Sequence, residues 1–543
     1  MKEFQAFFCN DFPNSVVQNG KHVISYKDLF KHSKNLAKAF ENYGIKPQEK
    51  LVIISQPSIE WILCDIACFQ SGIITVPLFS NSSMDTLKYQ IENCKPDHIV
   101  SENEEILQKI QNATSHQFKS IFLTKEHKYS HKIKTIWNLI EEQNQKQEML
   151  LQKTIEQSCV ATIIYTSGTS GNPKGVILTY SNFAHQIADI QSSFPEISSK
   201  DIAISILPFA HVFQRIIIYF YLSKGVNIHI INDIPNVLKY ISKIEPTIIT
   251  IVPRVLEKVY ARVKSQIEKK PLLIRKIFLP ILEYSSKNII NNKVLLKILD
   301  ILFFKKVRLV FGKKMSLIVS GGAKLNVTEE IFFYNAKPPV LQGYGMTECS
   351  PVIASNTKNH NKVFSVGKPF SSVEVKIAEN GEICVRGGSI FMGYYGLEPR
   401  NVEEFFHTGD IGNIDCDGFL TVTGRLKEQF KNANGKFVNP IKIESMLNEI
   451  SGIDNACVVA EGRPFSVALL FTQREDLEVL QNQIHSMNKH LEHHEQVQYW
   501  YITKEKPTIE NNIITPSMKL RRQFVMEKYN KEIEKLYVNA KKS

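Results

Sequence analysis

Apolar residues recur three and four positions apart between Tyr26 and Tyr43, a spacing that predicts an amphipathic helix packed on a core. The next segments have a different rhythm. Leu51-Val-Ile-Ile-Ser55 and Gly72-Ile-Ile-Thr-Val-Pro77 are short apolar runs bounded by turn formers, which read as buried strands. Ile228-His-Ile-Ile231, Thr247-Ile-Ile-Thr-Ile-Val252 and Leu317-Ile-Val-Ser320 continue the series, with helical patterns between them. Strands alternating with helices predict an α/β chain. The longest apolar stretch, Ser58 to Phe79, is interrupted by Glu60, Asp65 and Gln70, so it predicts a core helix followed by a strand rather than a membrane span.

The pattern changes near Gly424-Arg-Leu-Lys-Glu-Gln-Phe-Lys-Asn-Ala-Asn-Gly-Lys436, where charged and turn-forming residues cluster after Asp415-Cys-Asp-Gly418. A domain boundary is expected there. Beyond it, Ala456-Cys-Val-Val-Ala460 and Val467-Ala-Leu-Leu-Phe471 predict strands of a small α+β domain closed by terminal helices. A chain of 543 residues exceeds one core's usual size, which agrees with more than one domain.

The segment Tyr165-Thr-Ser-Gly-Thr-Ser-Gly-Asn-Pro-Lys-Gly175 follows the predicted strand Val160-Ala-Thr-Ile-Ile164. Its glycines let backbone N–H groups turn toward an anion, its hydroxyls add donors and Lys174 adds charge, so it predicts a phosphate-binding loop. It is not a Walker loop: counting from Gly168, Pro173 stands where the second glycine belongs, and Gly175 stands where Ser/Thr should follow the lysine. Nor is Gly343-Tyr-Gly-Met-Thr-Glu348 a dinucleotide fingerprint, because Glu348 replaces the third glycine.

The formal charge of +12 admits nucleic acid, an acidic membrane surface or a polyanionic substrate as partner. Between Lys269 and Lys314, twelve Lys and Arg residues face only Glu283 and Asp300, interleaved with Leu, Ile and Phe. Without nucleic-acid motifs or interleaved stacking aromatics, nucleic acid is not expected. The stretch fits either helices on an anionic membrane or a solvated helical face on a core. Nine scattered cysteines with no CxxC pair predict buried thiols in a reducing compartment, with Cys64 and Cys68 neighbours on one helix. The first residues lack the basic start, apolar core and cleavage site of a secretory signal, so the expected location is the cytoplasm, with peripheral attachment to the inner membrane surface as the alternative that the basic stretch leaves open. His485, His490, His493 and His494 have no cysteine or ordered carboxylate partners, which predicts a solvated helix face rather than a metal site.

Four further segments stand in order after the loop: Gln342-Gly-Tyr-Gly-Met-Thr-Glu348, Thr408-Gly-Asp410, Gly424-Arg425-Leu-Lys427 and Asn512-Ile-Ile-Thr-Pro-Ser-Met-Lys-Leu-Arg521. With the loop they resemble the acyl-adenylate-forming superfamily over nearly the whole chain. Pro208-Phe-Ala-His-Val-Phe213 and Tyr529-Asn-Lys-Glu-Ile-Glu-Lys-Leu-Tyr537 are most similar to its long-chain fatty acid CoA ligase branch. The resemblance implies a large, multi-subdomain N-terminal domain (1–424), a hinge (425–427) and a smaller α+β C-terminal lid domain (428–543). It implies ATP, Mg2+ and CoA, a fatty acid as substrate, and a reaction through acyl-AMP.

Residue by residue, the resemblance gives the loop Thr166, Ser167, Gly168, Thr169, Ser170, Gly171 and Lys174 to the β- and γ-phosphates, and Thr166 and Glu348 to magnesium. Thr347 contacts the α-phosphate; Tyr344, in Gly343-Tyr344-Gly345, faces adenine beside Gly321, Gly322 and Ala323; Asp410 takes the ribose hydroxyls and Arg425 the nucleotide. Lys519 becomes the cation on the α-phosphoryl oxygens, where charge builds. Lys427 becomes the pivot of a rotation between half-reactions. Asn434-Gly435 departs from the double glycine of many relatives, an asparagine that tolerates left-handed backbone. His211 lies where the family approaches the acyl carboxylate, or is a satisfied core histidine; the acyl pocket is expected from Ile202 to Leu222 and around Gly343. A carrier protein as acceptor and a catalytically silent lipid-binding protein stay open as alternatives.

Overall fold

The structure, a computed structural model, describes residues 12, 14–125, 133–144, 155–166, 173–233, 236–337, 340–426, 430–433, 436–508, 510–514 and 520–539. Two large sheets form the body. The first runs, edge to edge, Gly393–Tyr394, Lys174–Thr179, Val160–Thr166, Ile74–Leu78, Lys50–Ile54, His98–Ser101 and Ser120–Leu123. The second runs Lys368–Pro369, Val352–Ser355, Val340–Gly345, Leu317–Ser320, Ile248–Ile251, Ile202–Ser205, Asn227–Ile230, Val16–Asn19 and His22–Ser25. Their central strands are parallel and buried along their length, as expected where helices cover both faces. The expected strands and the helix Tyr26–Asn42 are present, and Ser58 to Phe79 resolves into the helix Ile59–Ser71 and the strand Ile74–Leu78. Ser25 starts the first of these helices by accepting from the Asp28 N–H. Among the described residues, no helix is long and apolar enough to cross a membrane.

One buried ion pair ties these layers together. Arg215, in the helix Val212–Lys224, donates from Nε and Nη2 to the two Asp65 oxygens at 2.7 and 2.6 Å, and its remaining donors reach Thr162 Oγ1 and Thr75 Oγ1. Tyr219 also donates to Asp65, and the rings of Trp61, Phe69 and Phe183 surround the guanidinium. Asp65 interrupts the apolar run because it belongs to this network in the core.

A four-stranded antiparallel sheet, Val373–Ile377, Glu382–Gly387, Phe406–Ile414 and Leu420–Arg425, follows the body. The C-terminal residues build a three-stranded sheet, Ile453–Val459, Ser466–Thr472 and Val497–Thr503. Alternation along its first strand makes two cores: Ala456 and Val458 pack with Ile443 and Leu447, whereas Cys457 and Val459 pack with Val525 and Ile533. Six of the described cysteines are buried, but Cys159 is half-buried and Cys416 exposed, because the Asp415-Cys-Asp-Gly418 turn projects it outward; Cys9 lies outside the described residues. His485, His490 and His493 are exposed, as expected of a solvated face.

Candidate active site

The second sheet sets the position of the site. Its neighbouring parallel strands Ile202–Ser205, Ile248–Ile251, Leu317–Ser320 and Val340–Gly345 end on the same side. From those ends emerge Ile206 to Pro208 with Ala210 and His211, Val252 to Arg254, Gly321 to Ala323, and Met346 to Glu348, and all of them line one cleft of about 3550 Å³. A crevice outside the carboxyl ends of parallel strands is where α/β folds bind ligands. The far wall comes from the C-terminal residues, including Ile441, Glu444, Ser445, Ile514 and Leu520.

One polar cluster gathers three of the expected residues. The Tyr344 hydroxyl donates to Asp410 Oδ2 at 2.6 Å, and Arg425 Nε donates to Asp410 Oδ1 at 2.8 Å. Asp410 and Arg425 are cross-strand partners, so the pair follows from sheet register. Burial first, then the Asp410 charge, pushes the Tyr344 hydroxyl's pKa well up, so it stays a donor. Each Asp410 oxygen keeps a second lone pair for a ligand hydroxyl. The turn before it is held by Glu382, whose Oε1 accepts from the Gly409 N–H at 2.9 Å and whose Oε2 lies 2.8 Å from His407 Nδ1. Sequence reasoning passed over Glu382; its signal was a carboxylate standing at the start of the apolar run Ile383-Cys-Val385.

A second cluster joins the ends of the expected phosphate loop to Glu348. Thr166 and Lys174 face each other across the antiparallel pair Val160–Thr166 and Lys174–Thr179. The Lys174 ammonium stands 5.0 Å from the centre of the Tyr394 ring, and the Tyr394 hydroxyl donates to Glu348 Oε1 at 2.9 Å. Glu348 is buried, which raises its carboxyl pKa, while hydrogen bonds from its own backbone and Tyr394 oppose the rise. Tyr394 was not expected; only its place in a short strand beside Lys174–Thr179 brings it here. A buried carboxylate, a threonine hydroxyl and a lysine fit the oxygen-ligated magnesium and the polyphosphate that the resemblance implies.

Two glycines have steric reasons to be there. A Cβ on Gly345 would sit 1.8 Å from the Pro351 carbonyl oxygen, so only glycine lets the chain return along Val352–Ser355. A Cβ on Gly321 would sit 3.0 Å from Phe213 Cζ. Glycine there lets the Phe213 ring pack directly beneath the backbone that Gly322 and Ala323 continue along the cleft.

His211 is half-buried on the cleft wall and begins the helix Val212–Lys224, its Nδ1 accepting from the Phe213 N–H at 3.2 Å. That bond places the hydrogen of the neutral ring on Nε2. Deeper in, Phe213, Ile217, Phe220 and Tyr221 of this helix and Val255 and Val259 of the helix Pro253–Glu268 make an apolar wall. Thr347 and Gly343 also line the cleft. Ser167, Gly168, Thr169, Ser170, Gly171, Lys427, Gly435 and Lys519 lie outside the described residues.

Residues 6–395 match the model of the AMP-binding enzyme family, and residues 427–541 match that of the AMP-binding enzyme C-terminal domain. Among curated proteins the chain is similar to fatty acyl-CoA synthetase B of Dictyostelium discoideum, 28% identical over 95% of this chain and 85% of that one. It is equally similar, 28% over 91% of this chain and 89% of the relative, to a long-chain-fatty-acid–CoA ligase of Mycobacterium tuberculosis. A long-chain-fatty-acid–[acyl-carrier-protein] ligase of Arabidopsis thaliana is 26% identical over 95% of this chain and 82% of that one. Among solved structures, the A-PCP didomain of carboxylic acid reductase from Segniliparus rugosus, in complex with AMP, superposes with a TM-score of 0.79 at 19% identity, covering 99% of this chain and 81% of that one. At that identity the likeness speaks for the fold. With one family model spanning most of the chain and the second taking up the C-terminal domain, this chain belongs to the AMP-binding enzyme family.

Proposed function

We propose that the protein is a long-chain fatty acid CoA ligase: a fatty acid carboxylate attacks the α-phosphorus of ATP to give acyl-AMP and pyrophosphate, and the thiol of CoA then attacks the acyl carbon to give acyl-CoA and AMP. The observation that carries this reading is a single cleft joining the Tyr344–Asp410–Arg425 cluster, the Lys174–Tyr394–Glu348 cluster and the apolar wall of Phe213, Ile217 and Phe220. Nucleotide, polyphosphate and an aliphatic chain each meet matching chemistry. The names of the similar proteins agree.

In this reading the Tyr344 ring lies against adenine, and Asp410, fixed by Tyr344 and Arg425, accepts from the ribose hydroxyls. Lys174 and the loop from Thr166 hold the β- and γ-phosphates, and Thr347 meets the α-phosphate. Thr166 and Glu348 would hold Mg2+, which when bound neutralises phosphate charge. Tyr394 keeps the Glu348 carboxylate turned toward that position. His211, with its hydrogen on Nε2, donates to the acyl carboxylate oxygen and orients it for attack. Lys519 stabilises charge on the α-phosphoryl oxygens. Residues 1–424 form the body and 428–543 the lid, which turns about the hinge 425–427 with Lys427 as pivot and Gly435 in the loop beyond it, so that CoA enters once Lys519 has left. We place the enzyme in the cytoplasm, attached to the inner membrane surface.

Pyrophosphate release over a series of acids, with and without CoA, tests the reading. Long aliphatic acids should give the highest kcat/KM, since each buried methylene contributes about 0.8 kcal/mol. Turnover that needs a carrier protein instead of CoA would favour the carrier-protein ligase, and acetate or benzoate outcompeting palmitate would overturn the fatty acid reading.

A further inference from the structure

The stretch between Lys269 and Lys314 folds into two amphipathic helical segments whose outer faces carry apolar side chains in water. Leu273 is 79% exposed, Val294 69% and Ile301 67%, with Ile277, Ile298 and Leu309 also exposed. Along the second segment, positions 294, 298, 301 and 309 repeat at helical spacing, so they share one stripe. The opposite stripe, Leu299, Phe303, Phe304 and Val307, is buried. The segments lie side by side, with the Phe278 and Phe303 rings 5.8 Å apart. The exposed stripe of the second segment is not a core face left open by misalignment, because that segment already has a buried face of its own, and the helix Leu272–Lys287 buries Leu282, Ser285 and Ser286 toward its C-terminal end while its first turns stand in water.

The charges complete the pattern. Both acidic residues of the stretch are neutralised within it, Glu283 by Lys287 and Asp300 by Arg308. Arg308 also donates to the Ala336 carbonyl oxygen, so it belongs to the scaffold. The exposed lysines 293, 297, 305 and 306 stand beside the apolar stripe with no ion pair among the described residues. An apolar ridge rimmed by unneutralised lysines matches the acyl boundary and headgroups of an anionic bilayer, and a second copy of the same basic face would be repelled. The ridge also adjoins the cleft, since Leu279, Leu282 and Ser286 of the helix Leu272–Lys287 line it together with Tyr260 of the helix before.

We propose that this ridge docks on an anionic lipid bilayer and sets the neighbouring mouth of the cleft against the surface from which a fatty acid enters. The docking face stands on the geometry alone; what the bilayer delivers rests on the ligase reading.

Full-length protein is sedimented with vesicles of zwitterionic lipid and of zwitterionic plus anionic lipid, at low and high salt. Binding to anionic vesicles that weakens with salt is expected. Lys293→Gln and Lys306→Gln should each cost about five-fold in partitioning, and Leu273→Gln with Ile301→Gln should abolish binding at either salt, while turnover of a detergent-solubilised acid is unchanged. No binding to anionic vesicles at low salt, binding equal in all variants, or a concentration-dependent dimer broken by the apolar variants would overturn the proposal. A protein that binds vesicles but activates no fatty acid would contradict the ligase reading and leave the docking face standing.

Discussion

At the scale of single residues, the site depends on side chains that orient other side chains. Tyr394 touches Glu348 through one hydrogen bond and Lys174 through its ring face, so Tyr394→Phe keeps the ring and removes the bond. A hydrogen bond to a charged group is worth about 1.5–3 kcal/mol, which predicts a loss of roughly 10- to 100-fold in acyl-AMP formation with little change in thermal stability. Pyrophosphate exchange checks it, and an unchanged rate would remove Tyr394 from the account. That Tyr344, Thr347, Glu348, Asp410 and Arg425 belong to one site was legible in the sequence, because they sit in compact motifs, and all five line the cleft. What the motifs do not contain is the cross-strand register that sets Arg425 against Asp410, or the remote strand that delivers Tyr394. Glu382 escaped notice for the same reason: its partners Gly409 and His407 lie on another strand.

At the scale of elements, the helix Val212–Lys224 does two things. Its first turn presents His211 and Phe213 to the cleft, and one turn further Arg215 locks it to the first sheet through Asp65, Thr162 and Thr75. Arg215→Met would strand the Asp65 carboxylate in the core, 1% exposed, at a cost of about 3–5 kcal/mol, whereas Arg215→Met combined with Asp65→Leu should recover most of it. Denaturant unfolding of the three proteins measures this; equal losses in single and double variants would show that the pair does not act as a unit. The strands of this region were legible because buried parallel strands are unbroken apolar runs. The ion pair was not, since a polar residue inside an apolar run looks the same in sequence whether it faces water or a partner 150 residues away.

At the scale of the whole molecule, the C-terminal domain packs over the body beside the helix Val327–Ala336. Ser445 donates to Asn326 there, and the Glu329 carboxyl is pushed up to about 7 by burial first, then by the Glu449 and Glu257 charges, from an ordinary value of 4.5. Glu449 is likewise raised by burial. This arrangement binds a proton that the unfolded chain has already lost, so its stability is fully present below pH 4.5 and is lost as pH rises through about 7, by roughly 3 kcal/mol. Unfolding temperature against pH should fall across that window in the wild type and flatten in Glu329→Gln; parallel curves would contradict the assignment.

The central claim is that one cleft serves two successive reactions by moving the lid, and the most direct measurement assays both half-reactions separately in Lys519→Ala. The account predicts a loss of at least ~100-fold in acyl-AMP formation, in line with removing one charge-stabilising group, while supplied acyl-AMP and CoA are still converted to acyl-CoA. Lys427→Pro, which fixes the backbone at the proposed pivot, should show the reverse pattern. Equal damage to both half-reactions in both variants would contradict the moving lid.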